Sequence, residues 1–132
     1  MTSYSNARQA YTTSSVLTAS PGQLIVMAYD GAIRALRQSA DAMRRGDRER
    51  ARNRMRSAEA IIDELNNSLD MSHGEIPARL RALYLYCKRL LINANTQSEA
   101  EAIDVAVGLL TKLRESWFQI AQTAQNAEQE SA

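Results

Sequence analysis

Few residues in this 132-residue chain could do chemistry, and their spacing serves chemistry poorly. His73 is the only histidine, with Asp70 three residues before it. A carboxylate–imidazole pair can relay a proton or ligate a metal. Metal sites in helical bundles, however, use paired Glu-x-x-His motifs on facing helices. One copy in a predicted turn supplies no such set. Cys87 is the only cysteine. It falls on an apolar helical stripe, where a free thiol behaves as a small inert hydrophobe. It cannot close an internal disulfide, which points to a reducing compartment. No Gly-x-x-x-x-Gly-Lys phosphate cradle and no nucleophile elbow occurs. The expectation is a protein without catalytic residues, metal or cofactor.

The arginine run Arg44, Arg45, Arg48, Arg50, Arg52, Arg54 and Arg56 could contact phosphates. Yet these residues spread around their helix, with Asp47, Glu49 and Glu59 among them. That is the pattern of a solvated face. A formal net charge of +1 gives no global pull towards nucleic acid or membrane. A small helical nucleic-acid-binding protein using Arg44–Arg56 stands as the alternative reading.

The elements that must position these residues are helices. Ala, Leu, Ile and Met dominate the apolar set, and Gly and Pro are scarce, which favours helix over strand. The length fits one domain. Residues 1–19 read as a polar, flexible arm carrying Tyr11, Val16 and Leu17 as apolar anchors. It lacks the apolar run of a signal peptide, and no stretch reaches the roughly 20 apolar residues that span a bilayer. A cytoplasmic protein is expected.

Ser20-Pro21-Gly22-Gln23 forms a capping box with Pro at the first helical position. The first helix should run to about Arg45 and stop near Gly46. Ile25, Tyr29, Ala32, Ile33, Leu36, Ala40 and Met43 share one broad face, and Ala28, Gly31 and Ala35 form a small-residue strip suited to tight packing. The second helix is expected from about Asp47 to Leu69. Its single stripe is Ala51, Met55, Ala58, Ile61, Ile62, Leu65 and Leu69. A third should start near Ile76-Pro77, with Ile76, Leu80, Leu83, Tyr84, Cys87, Leu90, Leu91 and Ala94 inward. Asn93–Gln97 reads as a polar break, and Ser98-Glu99-Ala100-Glu101 as a second capping box. The fourth should run to about Gln125, with Ile103, Ala106, Val107, Leu110, Leu113, Trp117 and Ala121 inward and Arg114 lying in by its stem. Residues 20–125 should therefore form an all-α, antiparallel up-and-down four-helix bundle, with a polar tail over residues 126–132.

Some helices carry more apolar surface than such a bundle needs. Leu85 and Ile92 lie on the reverse of the third helix, among Arg81, Lys88 and Arg89. Tyr86 lies at its flank. Val105, Leu109 and Ile120 widen the apolar arc of the fourth. Aligned apolar residues outside a core mark a surface for another molecule.

The residues also resemble a family. Ala10-Tyr11, Val16-Leu17-Thr18-Ala19-Ser20-Pro21, Gln23-Leu24-Ile25 and Met27-Ala28-Tyr29-Asp30-Gly31-Ala32 resemble the start of the flagellar secretion chaperone family FliS. Leu69-Asp70 and Gly74-Glu75-Ile76 resemble its central turn. Leu80, Leu83-Tyr84, Tyr86, Arg89-Leu90-Leu91, Ala94-Asn95 and Trp117 continue the likeness. Ala28 stands where a larger apolar residue is usual, and His73 with a single Gly74 where Gly-Gly is common. The resemblance implies a cytosolic chaperone that binds the disordered carboxy-terminal segment of flagellin, prevents premature polymerisation and supports delivery to the flagellar export apparatus. The client becomes helical as it wraps the bundle, and the arm can lie over part of the groove. On this reading Leu85, Tyr86, Ile92, Val105, Leu109 and Ile120 contribute to the client groove. The same surface could mediate a homodimer when no client is present.

Overall fold

The computed structural model describes residues 20–131, with side chains placed through residue 130. Four helices follow in order: α1 Pro21–Arg44, α2 Arg48–Asn67, α3 Glu75–Gln97 and α4 Ala100–Ser131. No strand occurs among the described residues. The arm anchors Tyr11, Val16 and Leu17 lie outside them.

The start of α1 is as the sequence dictates. The Ser20 hydroxyl accepts from the Gln23 N–H at 3.2 Å, and the Gln23 side-chain oxygen accepts from the Ser20 N–H at 2.8 Å. Both bonds satisfy amides that have no partner within the helix. At the other end Gly46 takes a φ of 79°, a left-handed conformation that costs glycine little. The Asp47 N–H then reaches back to the Ala42 carbonyl at 2.9 Å. Asp47 in turn caps α2 by accepting from the Arg50 N–H.

Two expected boundaries shift. Asn93–Gln97 is not a break, because α3 continues through Gln97. Ser98 does not cap α4. It takes the left-handed conformation, φ 54°, ψ 40°, and closes α3 with its N–H on the Ala94 carbonyl. Four polar residues carried the expectation of a loop, yet Ala94 among them is fully buried and holds that turn against the core. The other shift lies in α4, which runs past Gln125 to Ser131. Its last turns are mostly Ala, Gln and Glu, good helix formers, with neither Gly nor Pro to stop them.

α1 shares its most extensive packing with α2 and α4, and α3 closes the ring less tightly between α4 and α2. Alanines on α1 (Ala32, Ala35, Ala40 and Ala42) are buried and let the neighbouring helices approach. Gly31 serves the same end: a Cβ there would meet Ile61 Cδ1 at 3.3 Å. The core runs through Tyr29, Leu36, Ile62, Leu91, Ile103 and Leu110, each fully buried. Ser39 is buried among them and donates to the Ala51 carbonyl at 2.7 Å, joining α1 to α2.

α4 is pinned to α1 by charge as well as by apolar contact. Arg114 Nε donates to Asp30 Oδ1 at 2.9 Å, and its guanidinium carbon lies 5.1 Å from the centre of the Phe118 ring. Arg44 pairs with Asp104 near the other end. Ala121 sits against Gly22 in the first turn of α1. The residues from Gln122 onward therefore run past the start of α1, and those through Glu130 are exposed.

Candidate functional site

The fold buries some residues with chemical potential and leaves others in an exposed turn. Cys87 is fully buried, and desolvation pushes its thiol up to about 11. Burial likewise raises Tyr29 and Tyr84 above the usual phenol range. Their hydroxyls bond each other at 2.5 Å across the core, and the Tyr84 bond partly offsets the rise at Tyr29. His73 Nδ1 lies 3.1 Å from Asp70 Oδ2 in the exposed turn between α2 and α3. Ser72 bonds Asp70 through both its hydroxyl and its N–H, which holds the Asp70 carboxyl below the usual carboxylate range. No group of three or more His, Cys, Asp or Glu residues gathers as a metal site among the described residues.

The arginine run does not form one patch. Arg44 pairs with Asp104 and Arg45 with Asp41. Arg54 turns towards α1, where it donates to Gln38. Arg48, Arg52 and Arg56 lie along the flank of α2 that faces α3. Asp63 defines that flank, because it accepts from Lys88 of α3 at 2.6 Å.

The exposed apolar residues remain. Leu85 is 46% exposed, Tyr86 41%, Ile92 61%, Val105 52% and Ile120 59%. Leu109 is half-buried and packs against the core. The fold divides these six between two seams. Tyr86 is turned about 160° from Lys88 around α3, which sets it towards α4. There it joins the flank of α4 that carries Val105, Leu109 and Ile120. Leu85 and Ile92 lie within about 60° of Lys88, on the side of α3 nearer α2. Ile120 also lines a shallow apolar cleft with Ser116, Thr123 and Ala127.

Another apolar opening went unread in the sequence. Ile25, Leu69, Ile76, Leu80, Tyr84 and Trp117, with Asp70 and His73 of the α2–α3 turn, line a cleft of about 210 Å³ at that end of the bundle. Ile76 was expected inside the core, yet it is 69% exposed. Its helical phase is inward, but it stands in the first turn of α3, where no further layer covers it. Phe118, 43% exposed beneath Arg114, was also missed. Its neighbours in sequence hide it, since Trp117 takes the inward position.

A helical bundle with exposed apolar residues along its seams carries surface on which another chain can dock. Residues 4–124 match the family described as Flagellar protein FliS. The Flagellar secretion chaperone FliS of Salmonella typhimurium is 40% identical over 113 residues, 84% of this chain and 84% of that protein. The Flagellar secretion chaperone FliS of Bacillus subtilis is 35% identical over 118 residues, 89% of this chain and 88% of that protein. The chain belongs to the FliS family of flagellar secretion chaperones. This is a family of chaperones in flagellum biogenesis and protein export, and not a known family of enzymes. No described helix is long and apolar enough to cross a membrane.

Proposed function

We propose that this protein binds the disordered carboxy-terminal segment of flagellin in the bacterial cytosol, keeps it from polymerising early and hands it to the flagellar export apparatus. The observation that carries the reading is the set of exposed apolar residues on both seams of α3, outside a core that is already complete. Segments meant for a filament interior carry apolar helix faces that self-associate when bare. A chaperone must offer equivalent apolar surface.

The magnitudes require a long contact. Burying one exposed Leu, Ile or Val fully contributes about 1.5–3 kcal/mol. Ordering a disordered client costs at least about 2–5 kcal/mol. Two such residues leave little margin, whereas Tyr86, Val105, Leu109 and Ile120 on one seam, with Leu85 and Ile92 on the other, leave enough. A client covering both must cross α3, so it wraps the bundle instead of lying in one groove. The arm over residues 1–19, with Tyr11, Val16 and Leu17, shields part of this surface and yields to the client. With neither in place, the same surface pairs two copies of the chain.

Co-purification with flagellin tests the reading. Intact flagellin should be retained, and flagellin lacking its carboxy-terminal segment should be lost. Equal retention of both would contradict it.

A further inference from the structure

The seam between α2 and α3 is the most sparsely packed in the bundle, and it holds charge that the protein leaves unanswered. Arg48, Arg52 and Arg56 stand one turn apart on α2, about 6 Å between successive positions. Arg52 and Arg56 line a cleft of about 290 Å³ with Asn95 of α3. Arg48 and Arg52 line a second, of about 170 Å³, with Asn95 and Ser98. All three are exposed, and none enters an ion pair among the described residues. Arg44, Arg45, Arg79, Lys88 and Arg114 each have a carboxylate, whereas Arg34, Arg37, Arg50, Arg81, Arg89 and Lys112 form no ion pair among the described residues either. Glu59 is the one acid lining either cleft. Arg48 also sits in the first turn of α2, where the helix dipole opposes a cation.

Apolar side chains continue this seam beyond the row, towards the Lys88–Asp63 pair. Ile92 and Leu85 are exposed on the adjoining face of α3, with Arg81 in line by helical phase. Cations one turn apart, followed along the seam by bare apolar residues, fit one kind of ligand. It is a helix with carboxylates at the same one-turn spacing towards one end and apolar residues towards the other. A phosphate backbone would meet the arginines and leave the apolar residues uncovered. The chain's own residues 1–19 contain Arg8 and no Asp or Glu, so the arm lacks the charge to fill this seam.

We infer that the stretch of the client lying along the α2–α3 seam is an amphipathic helix, its acidic end held by Arg48, Arg52 and Arg56 and its apolar residues packed on Ile92 and Leu85 further along. The inference rests on the client reading above and adds the chemistry of one stretch of it.

The test is titration of the flagellin carboxy-terminal segment against the wild-type chain and the Arg48→Gln/Arg52→Gln/Arg56→Gln variant. These exposed positions leave the core intact. At about 50 mM salt the variant should bind about 10- to 100-fold more weakly, and the gap should close near 500 mM as screening removes the ion pairs. Two designed amphipathic peptides that differ only by Glu or Lys towards one end supply an independent arm. The Glu peptide should bind the wild type and lose affinity for the variant. Equal affinity and equal salt dependence of wild type and variant for the flagellin segment would overturn the inference and leave the client reading standing. A flagellin segment that binds neither protein would overturn both. A duplex DNA that binds more tightly than the Glu peptide, through the same arginines, would overturn the inference in favour of a nucleic acid.

Discussion

The Tyr29 and Tyr84 hydroxyls meet at 2.5 Å in the middle of the core, with their rings 6.4 Å apart and tilted by 44°. This bond joins α1 to α3, two helices that sit diagonally across the bundle. Replacing Tyr84 by Phe leaves the buried Tyr29 hydroxyl without that partner, at a cost of about 1–3 kcal/mol. Tyr29→Phe should act alike. The double change should cost clearly less than the two single costs added, because it leaves neither hydroxyl stranded. Urea unfolding of the three variants measures this, and strict additivity would show that the pair is not coupled.

The same pair makes the fold sensitive to alkali. Both phenols are raised above their ordinary value of 10.0, chiefly by burial, so folding favours their neutral forms. Their contribution is fully present below pH 10 and is lost as pH rises beyond it, because the unfolded chain then ionises first. The urea midpoint should fall above pH 10, and the Tyr29→Phe/Tyr84→Phe variant should show a shallower fall.

Cys87 should be chemically silent. A rise from 9.0 to about 11 lowers its thiolate fraction near pH 8 by about 100-fold, before access is considered. Labelling with a thiol reagent should follow global unfolding in denaturant. Rapid labelling of the native protein would contradict a sealed site.

Two glycines in α1 should respond oppositely to alanine. At Gly31 the new methyl would meet only the far end of Ile61, at 3.3 Å. The gain in helix propensity, about 1 kcal/mol, should leave Gly31→Ala neutral or stabilised. At Gly22 it would meet Ala121 Cβ at 3.0 Å and Cα at 3.4 Å, and the backbone of α4 cannot turn aside. Gly22→Ala should destabilise by about 1–3 kcal/mol. Thermal unfolding of both variants gives the comparison.

The bundle was legible in the sequence because its signals agree at several levels. Ser20 and Gln23 announce a helix start, Gly46 a stop, and Ala51, Met55, Ala58, Ile62 and Leu65 one buried stripe. The α3–α4 junction misled because four polar residues resemble a loop, while the single buried Ala94 decides the matter. The exposed positions of Leu85 and Ile92 could be read from phase alone. Their separation from Tyr86 could not, because which flank faces which neighbour depends on the closure of the ring. Lys88 and Asp63 reveal it only once α2 and α3 are set side by side. The cleft around Ile76 and Trp117 was hidden for a related reason: periodicity gives a residue's direction but not whether another layer covers it.

The proposed binding of the export client by exposed apolar residues outside the finished core is best probed on the seam that carries no row of cations. The affinity of the flagellin carboxy-terminal segment should be measured by titration calorimetry for the wild type and for Val105→Asp/Ile120→Asp, with far-ultraviolet circular dichroism to show that the helices persist. Both positions lie more than half exposed. Each is already nearly half covered, so losing the rest of its burial at about 1–1.5 kcal/mol predicts binding about 10- to 100-fold weaker in a protein that is still folded. A folded variant with wild-type affinity would contradict the account.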